Sequence, residues 1–168
     1  MAFAQTVEPA SAPAAPQGPD RSGFSLLLTL GLGLQKVASS DMETGLGGLN
    51  LGIGGFVSPD LAVMFRFSGT SVTYDEWYGN IDFTSGVGGP CVQYWVDDSI
   101  NLEGGLGLGF ADNGEGWDDQ GFGVILGFGY SFYHKKKTSF QMGVELAPAF
   151  IDGETIHNIS IAFGWQLL

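Results

Sequence analysis

Residues 23 to 37, GFSLLLTLGLGLQKV, alternate on a strict two-residue beat, and that beat recurs down the whole chain. Phe24, Leu26, Leu28, Leu30, Leu32 and Leu34 take even positions, while Ser25, Thr29, Gly31, Gly33 and Gln35 take odd ones. Leu27 is the exception. A period of two puts alternate side chains on opposite faces of an extended strand, so each segment has one apolar and one small or polar face.

Seven further segments keep the beat. The second sets Leu49, Leu51, Ile53 and Val57 against Asn50, Gly52 and Gly54; the third sets Leu61, Val63, Phe65 and Phe67 against Ala62, Met64, Arg66 and Ser68. The fourth is the least regular, with Val92, Tyr94 and Val96 opposite Gln93. The fifth places Ile100, Leu102, Leu106, Leu108 and Phe110 opposite Asn101, Glu103, Gly105, Gly107 and Gly109. The sixth runs Phe122, Val124, Leu126, Phe128, Tyr130 and Phe132, mostly against glycine. The seventh opposes Phe140, Met142, Val144 and Leu146 to Ser139, Gln141, Gly143, Glu145 and Ala147. The eighth opposes Ile159, Ile161, Phe163, Trp165 and Leu167 to Asn158, Ser160, Ala162, Gly164 and Gln166. Short breaks at 58–60, 97–99 and 134–137 alternate with longer segments at 37–45, 70–80, 111–120 and 151–156. An even number of such strands with alternately tight and long connections predicts an all-β, antiparallel, up-and-down barrel of eight strands. Closure also removes the edges that flat, glycine-rich strands would expose to aggregation.

Two barrels share this pattern, and the second face distinguishes them. A soluble, lipocalin-like ligand-binding barrel needs a charged exterior, yet here that face is Gly, Ser, Thr, Asn, Gln and Ala, with Arg66, Glu103 and Glu145 as its main charges. Charged residues make up only 14% of the 168 residues, about half the usual share. The same small polar face suits the interior of a narrow transmembrane barrel, and the apolar face suits lipid, where a central Arg or Lys costs ~2–4 kcal/mol. Phe24, Tyr94, Tyr130, Phe132, Phe140 and Trp165 gather toward one set of strand ends and Phe110 and Phe122 toward the other, as interfacial girdles do. A transmembrane barrel is therefore the expected fold.

The segment from Phe24 to Leu168 resembles the small OmpA/OmpX-type outer-membrane barrels of Gram-negative bacteria, most closely in GPCVQYWVDDSINLEGGLGLGF and the closing NISIAFGWQLL. The resemblance implies an outer-membrane location, a periplasmic N-terminus, outer-membrane lipid and lipopolysaccharide as surroundings, and a monomer. It also implies recognition of the last strand by the barrel-insertion machinery. That family's last strand usually ends on an aromatic; here Leu168 ends the chain. The three tight turns would then be periplasmic and the four longer segments extracellular.

Residues 1–22 fall outside the repeat and form a separate segment before the barrel at 23–168. Ala2-Phe3-Ala4 fits the small-x-small site at the end of a signal peptide, and VEPASAPAAPQGPDRS reads as an extended tether.

Three constellations carry the available chemistry. Arg66, Glu103 and Glu145 project to one side of the third, fifth and seventh strands, into a lumen barely wide enough for side chains. Buried there, they must pair, and Arg66 is expected to bridge the two glutamates, with Gln93, Gln141 and Asn101 completing a plug; the alternative is a hydrated passive pore with solvated charges. The outer segments are acidic, with Asp75 and Glu76, then Asp112, Glu115, Asp118 and Asp119 around Trp117, a possible divalent-ion or surface-binding loop. DNGEGWDD lacks the closing bidentate glutamate of a calcium loop, so a solvated acidic surface is the simpler reading. Lys36 and His157, near the outer rims of the first and last strands, form a rim suited to lipid phosphate.

With 18 acids against 6 bases and a net charge of −12, nucleic acid is a poor partner. Cys91 is the single cysteine, which excludes an internal disulfide or a cysteine metal cage. No phosphate loop, zinc spacing or nucleophile elbow is present; His157 has no serine beside it and His134 falls in a tight turn, so no enzyme activity and no cofactor are expected. The function these residues imply is structural, adhesive or interaction-based, with a narrow or plugged lumen.

Overall fold

The computed structural model describes residues 19–37, 41–76, 79–112, 114 and 119–168, except for the side chains of 74–76 and 79–81. Nine strands run in chain order: β1 (Gly23–Val37), β2 (Glu43–Ser58), β3 (Leu61–Glu76), β4 (Gly79–Trp95), β5 (Ile100–Asp112), β6 (Asp119–Lys135), β7 (Thr138–Leu146), β8 (Ala149–Ile151) and β9 (Glu154–Leu167). Each pairs antiparallel with its neighbours, and β1 pairs with β9 from Leu26↔Leu167 to Val37↔Ile156, closing the ring. Pro148, which lacks an N–H, interrupts the seventh stave; β8 resumes it by pairing Phe122↔Phe150 and Ala149↔Ile156, so β7 and β8 are one stave and the barrel has eight.

The two faces separate as the alternation requires. Leu32 at 69% exposure, Leu108 at 66% and Phe163 at 61% stand on the outside, whereas Ser25, Gln35, Asn50, Arg66, Gln93, Asn101, Gln166 and Leu27 are buried in the lumen. The barrel is thus the inverse of a water-soluble one. Burying a single leucine is worth about 1.5–3 kcal/mol. A continuous outer belt of such residues far exceeds the few hundred Å² that soluble monomers expose.

Departures from strict alternation have local causes. Leu46 and Leu49 both face outward although they differ in parity, because the β1–β2 and β2–β3 registers shift by one residue around Gly48. Gly48 adopts φ +63, a conformation that L side chains rarely take, and Thr29 Oγ1 donates to its carbonyl at 2.7 Å. At the outer surface, Phe110 is nearly covered because its ring lies over Gly86 and stacks on Phe67 at 5.0 Å between centroids.

Two connections differ from the sequence expectation. The segment 70–80 is not a long loop: β3 continues to Glu76 and β4 starts at Gly79, with pairing as far as Glu76↔Gly79. Its polar sequence hides the strand, although Thr70 and Val72 are buried on the inward face while Thr73 is exposed. The break within 151–156 shrinks to Asp152–Gly153, with Ile151 paired to Glu154. Asp152 and Gly153 have φ 50 and 83, the two left-handed residues of a type I′ hairpin, for which Asp-Gly is a preferred pair. Residues 43–45, 111–112 and 119–120 likewise belong to strands. Ala2-Phe3-Ala4 and the rest of 1–18 lie outside the described residues.

Candidate functional site in the lumen

Arg66 sits mid-strand on β3, facing in, and its register partners on both sides are glycines, Gly52 on β2 and Gly89 on β4. A Cβ on Gly52 would come within 2.6 Å of Arg66 Cδ, so the missing side chain is what admits the arginine. Its guanidinium crosses the lumen. Nη1 donates to Glu103 Oε2 on β5, and Nη2 donates to Glu145 Oε2 on β7 at 2.8 Å. One cation faces two carboxylates, and neutral donors serve the remaining lone pairs: Ser68 Oγ and Asn50 Nδ2 (3.3 Å) donate to Glu145, and Gln93 Nε2 donates to Glu103 Oε1 at 2.7 Å. All three charged residues are at least nine-tenths shielded at their side chains. Removing the arginine from such a cluster leaves two buried carboxylates without a counter-charge, at about 3–5 kcal/mol.

Toward the tight-turn end the network continues in neutral groups. Gln166 Nε2 donates to Gln93 Oε1 at 2.7 Å and to Ser25 Oγ at 3.1 Å, while Asn101 Nδ2 donates to Gln141 Oε1 at 3.0 Å. Trp95 Nε1 donates to Gln93 Oε1 at 3.2 Å. Toward the other end, Gln35 Nε2 donates to Ser85 Oγ at 2.6 Å and to Asn158 Oδ1 at 3.1 Å. Beside this layer lies an apolar cluster of Val87, Ala111, Ile125, Ala147, Ala149, Ile151 and Ile156. A cavity of about 40 Å³ borders Leu27, Asn50, Arg66, Glu103, Gln141 and Glu145. That is room for a few water molecules. Arg66 Nε and Asn50 Oδ1, both buried without a protein partner, belong to residues on its wall.

The structure therefore brings Arg66, Glu103, Glu145, Gln93, Gln141 and Asn101 into one connected layer. Sequence reasoning passed over Asn50, Ser68, Gln166, Ser25 and Trp95. The first four stand on the inward register, so extending the beat to every polar residue on that face would have found them. Trp95 does too, but an indole on the small-residue face has no sequence signature of its own.

The other candidates are more dispersed. Lys36 and His157 are direct register partners on β1 and β9, beside a 220 Å³ recess lined by Met42, Leu146, Pro148 and Ile159. Asp112 ends β5 and accepts from the Gly114 N–H at 2.8 Å, and Asp119 opens β6 opposite Ala111. Glu115, Asp118 and Trp117 lie outside the described residues, as do the side chains of Asp75 and Glu76. Among the described residues no three of His, Cys, Asp and Glu converge as metal ligands do. His134 is exposed at the end of β6, opposite Ser139.

No protein-family model matches the sequence, and no curated protein matches it. Solved structures do match its architecture. Ail, the attachment invasion locus protein of Yersinia pestis, in complex with the heparin analogue sucrose octasulfate, superposes with a TM-score of 0.65 at 14% identity, over 87% of this chain and 99% of that one. Neisserial surface protein A gives a TM-score of 0.67 at 14% identity, over 87% and 97%. OprG of Pseudomonas aeruginosa gives 0.50 at 13% identity, over 89% and 98%. At these identities the likeness is one of fold. The chain has the fold of the small eight-stranded outer-membrane β-barrels.

Proposed function

We propose that the chain is an integral outer-membrane barrel with a filled lumen and a structural, adhesive or interaction role. The observation that carries this reading is the inversion of its faces: a continuous apolar belt outside, and inside a cross-lumen ion cluster with a cavity of about 40 Å³ beside it. An apolar exterior with all backbone groups paired in a closed ring is what a lipid environment demands. The N-terminus and the tight turns face the periplasm, the longer connections face outward, and β9 carries the alternating series read by the insertion machinery. The barrel works as a monomer and without catalysis.

The outward end of the barrel is the interaction surface in this reading. The strand ends there carry Asp82, Asp112, Asp119, Asp152 and Glu154, with Lys36 as the basic residue on β1, and the sequence adds Asp75 and Glu76. A surface of that sign favours a cationic partner and repels polyanions, the opposite of the sulfated ligand seen with Ail. Lys36 and His157, at the upper edge of the apolar belt, suit contact with the phosphates of the surrounding outer-membrane lipid and lipopolysaccharide. The test is behaviour in solution: detergent-dependent solubility with heat-modifiable gel mobility is expected. A monodisperse protein soluble without detergent would overturn the reading in favour of a soluble ligand-binding barrel.

A further inference from the structure

The mouth of the lumen at the tight-turn end is crossed by residues 19–22, the segment leading into β1. Its backbone is pinned on one side, where the Asp20 N–H donates to the Lys136 carbonyl at 2.7 Å and the Asp20 carboxylate lies 3.8 Å from Lys137 Nζ. On the other side Arg21 Nη2 donates to the Asp97 carbonyl at 3.2 Å and to Asp98 Oδ1 at 3.4 Å, in the turn between β4 and β5. Between these anchors the Arg21 guanidinium lies over the Trp95 indole, 4.1 Å from the ring centroid. Arg21 is only 7% exposed and Trp95 only 1%. A lone arginine in a Pro- and Ala-rich lead is ordinarily solvated, and nothing in the local sequence requires its burial. The arginine here occupies a receptor made of an aromatic face, a carbonyl and a carboxylate, which matches the planar, weakly hydrated, multiply donating guanidinium and not a lysine ammonium.

We propose that residues 19–22 are a strap that closes this mouth, with Trp95, Asp97 and Asp98 forming an intramolecular guanidinium site whose resident ligand is Arg21. The strap does two things. It covers the lumen from the end opposite the acidic surface, a second seal in series with the Arg66 layer, to which Trp95 is linked through Gln93. It also ties residues 20 and 21 to both the β6–β7 and the β4–β5 turns. The Ser22 hydroxyl, bonded to the Asp20 carboxylate at 2.8 Å, stiffens the strap between its anchors.

Limited trypsin digestion of the folded full chain in detergent tests this without reference to conductance or membrane location, so its failure is distinct from failure of the filled-lumen reading. Trypsin requires Arg21 extended in its specificity pocket, which the strap forbids. Cleavage at Arg21–Ser22, followed by mass spectrometry, is expected to be at least ~10-fold slower in the wild type than in Trp95→Leu. The Arg21→Lys variant keeps a trypsin site but loses the planar stack, and it is expected to be cut faster than wild type as well. Heat-modifiable mobility verifies that each variant has folded, and Arg21→Lys keeps the test intact where Trp95→Leu does not fold. Rapid cleavage of the wild type at this bond overturns the proposal. So does equal protection of wild type and the folded variants, which would place the protection elsewhere.

Discussion

The two halves of the lumen differ in the balance of polar and apolar side chains that fill them. The half nearer the tight turns is dominated by charges and amides, Arg66 between Glu103 and Glu145, then Gln93, Asn101, Gln141 and Gln166, beside a small apolar cluster of Leu27, Ala62 and Met64. The half nearer the acidic end owes much of its filling to Val87, Ile125, Ile151, Ile156 and their neighbouring alanines, as in a soluble core. The first half depends on every donor and acceptor finding its partner at low dielectric, and so it is brittle to a single polar deletion. The second depends on volume, and its losses scale with the cavity a substitution leaves. A barrel whose outside faces lipid still has an inside to organise, and this one uses both devices within a single channel.

That contrast predicts an order of effects. Arg66→Ala leaves two facing carboxylates and is expected to cost about 3–5 kcal/mol, read from denaturant unfolding in detergent; a loss below 1 kcal/mol would mean that water already solvates the pair. Ile125→Ala, in the apolar half, should cost about 2–4 kcal/mol by cavity formation. In that half a conservative Ile125→Val should recover most of the loss, whereas Arg66→Lys, which cannot fork to both glutamates, should recover little. Glu103→Gln comes next at about 1–2 kcal/mol, because it removes the cluster's excess negative charge while stranding part of Arg66's bonding. If Glu103→Gln proved the most damaging of the three, Glu145 would not be the principal partner that its three donors suggest.

The smallest effect is a pH effect at the tight-turn end. The Asp97 carboxylate accepts from the backbone N–H of Ser99 at 2.7 Å and of Ile100 at 2.8 Å, which holds its carboxyl below the usual carboxylate range. A folded-state value below the unfolded one, ~3.9, gives stability that is present above that value and is lost as pH falls through the folded one. The Ser99 and Ile100 amide resonances should therefore be constant at neutral pH and shift only below about pH 4. In Asp97→Asn that titration should vanish.

The barrel was legible because a chain that faces lipid on one side and a packed lumen on the other must keep the beat for the whole height of the belt. The inward placement of Arg66, Glu103 and Glu145 followed from parity alone. Parity is less legible elsewhere. Residues 70–73 alternate in burial with Thr70 and Val72 inward, but Thr, Ser and Thr flank the one valine and hide the period, and Gly48 changes the phase without announcing it. Ile125, Val87 and Leu27 show the other limit: the period separates two faces but does not require the inner one to be polar. Arg21 is beyond reach of any pattern, since its partners in the β4–β5 turn are 76 and 77 residues away.

The central claim is that this lumen is filled and held shut by the Arg66 cluster, and single-channel recording in planar bilayers tests it most directly. The wild type should show no large steady conductance, and Arg66→Ala should increase the frequency and size of openings. A large, steady wild-type conductance unchanged in Arg66→Ala would contradict the account and make the protein a passive pore.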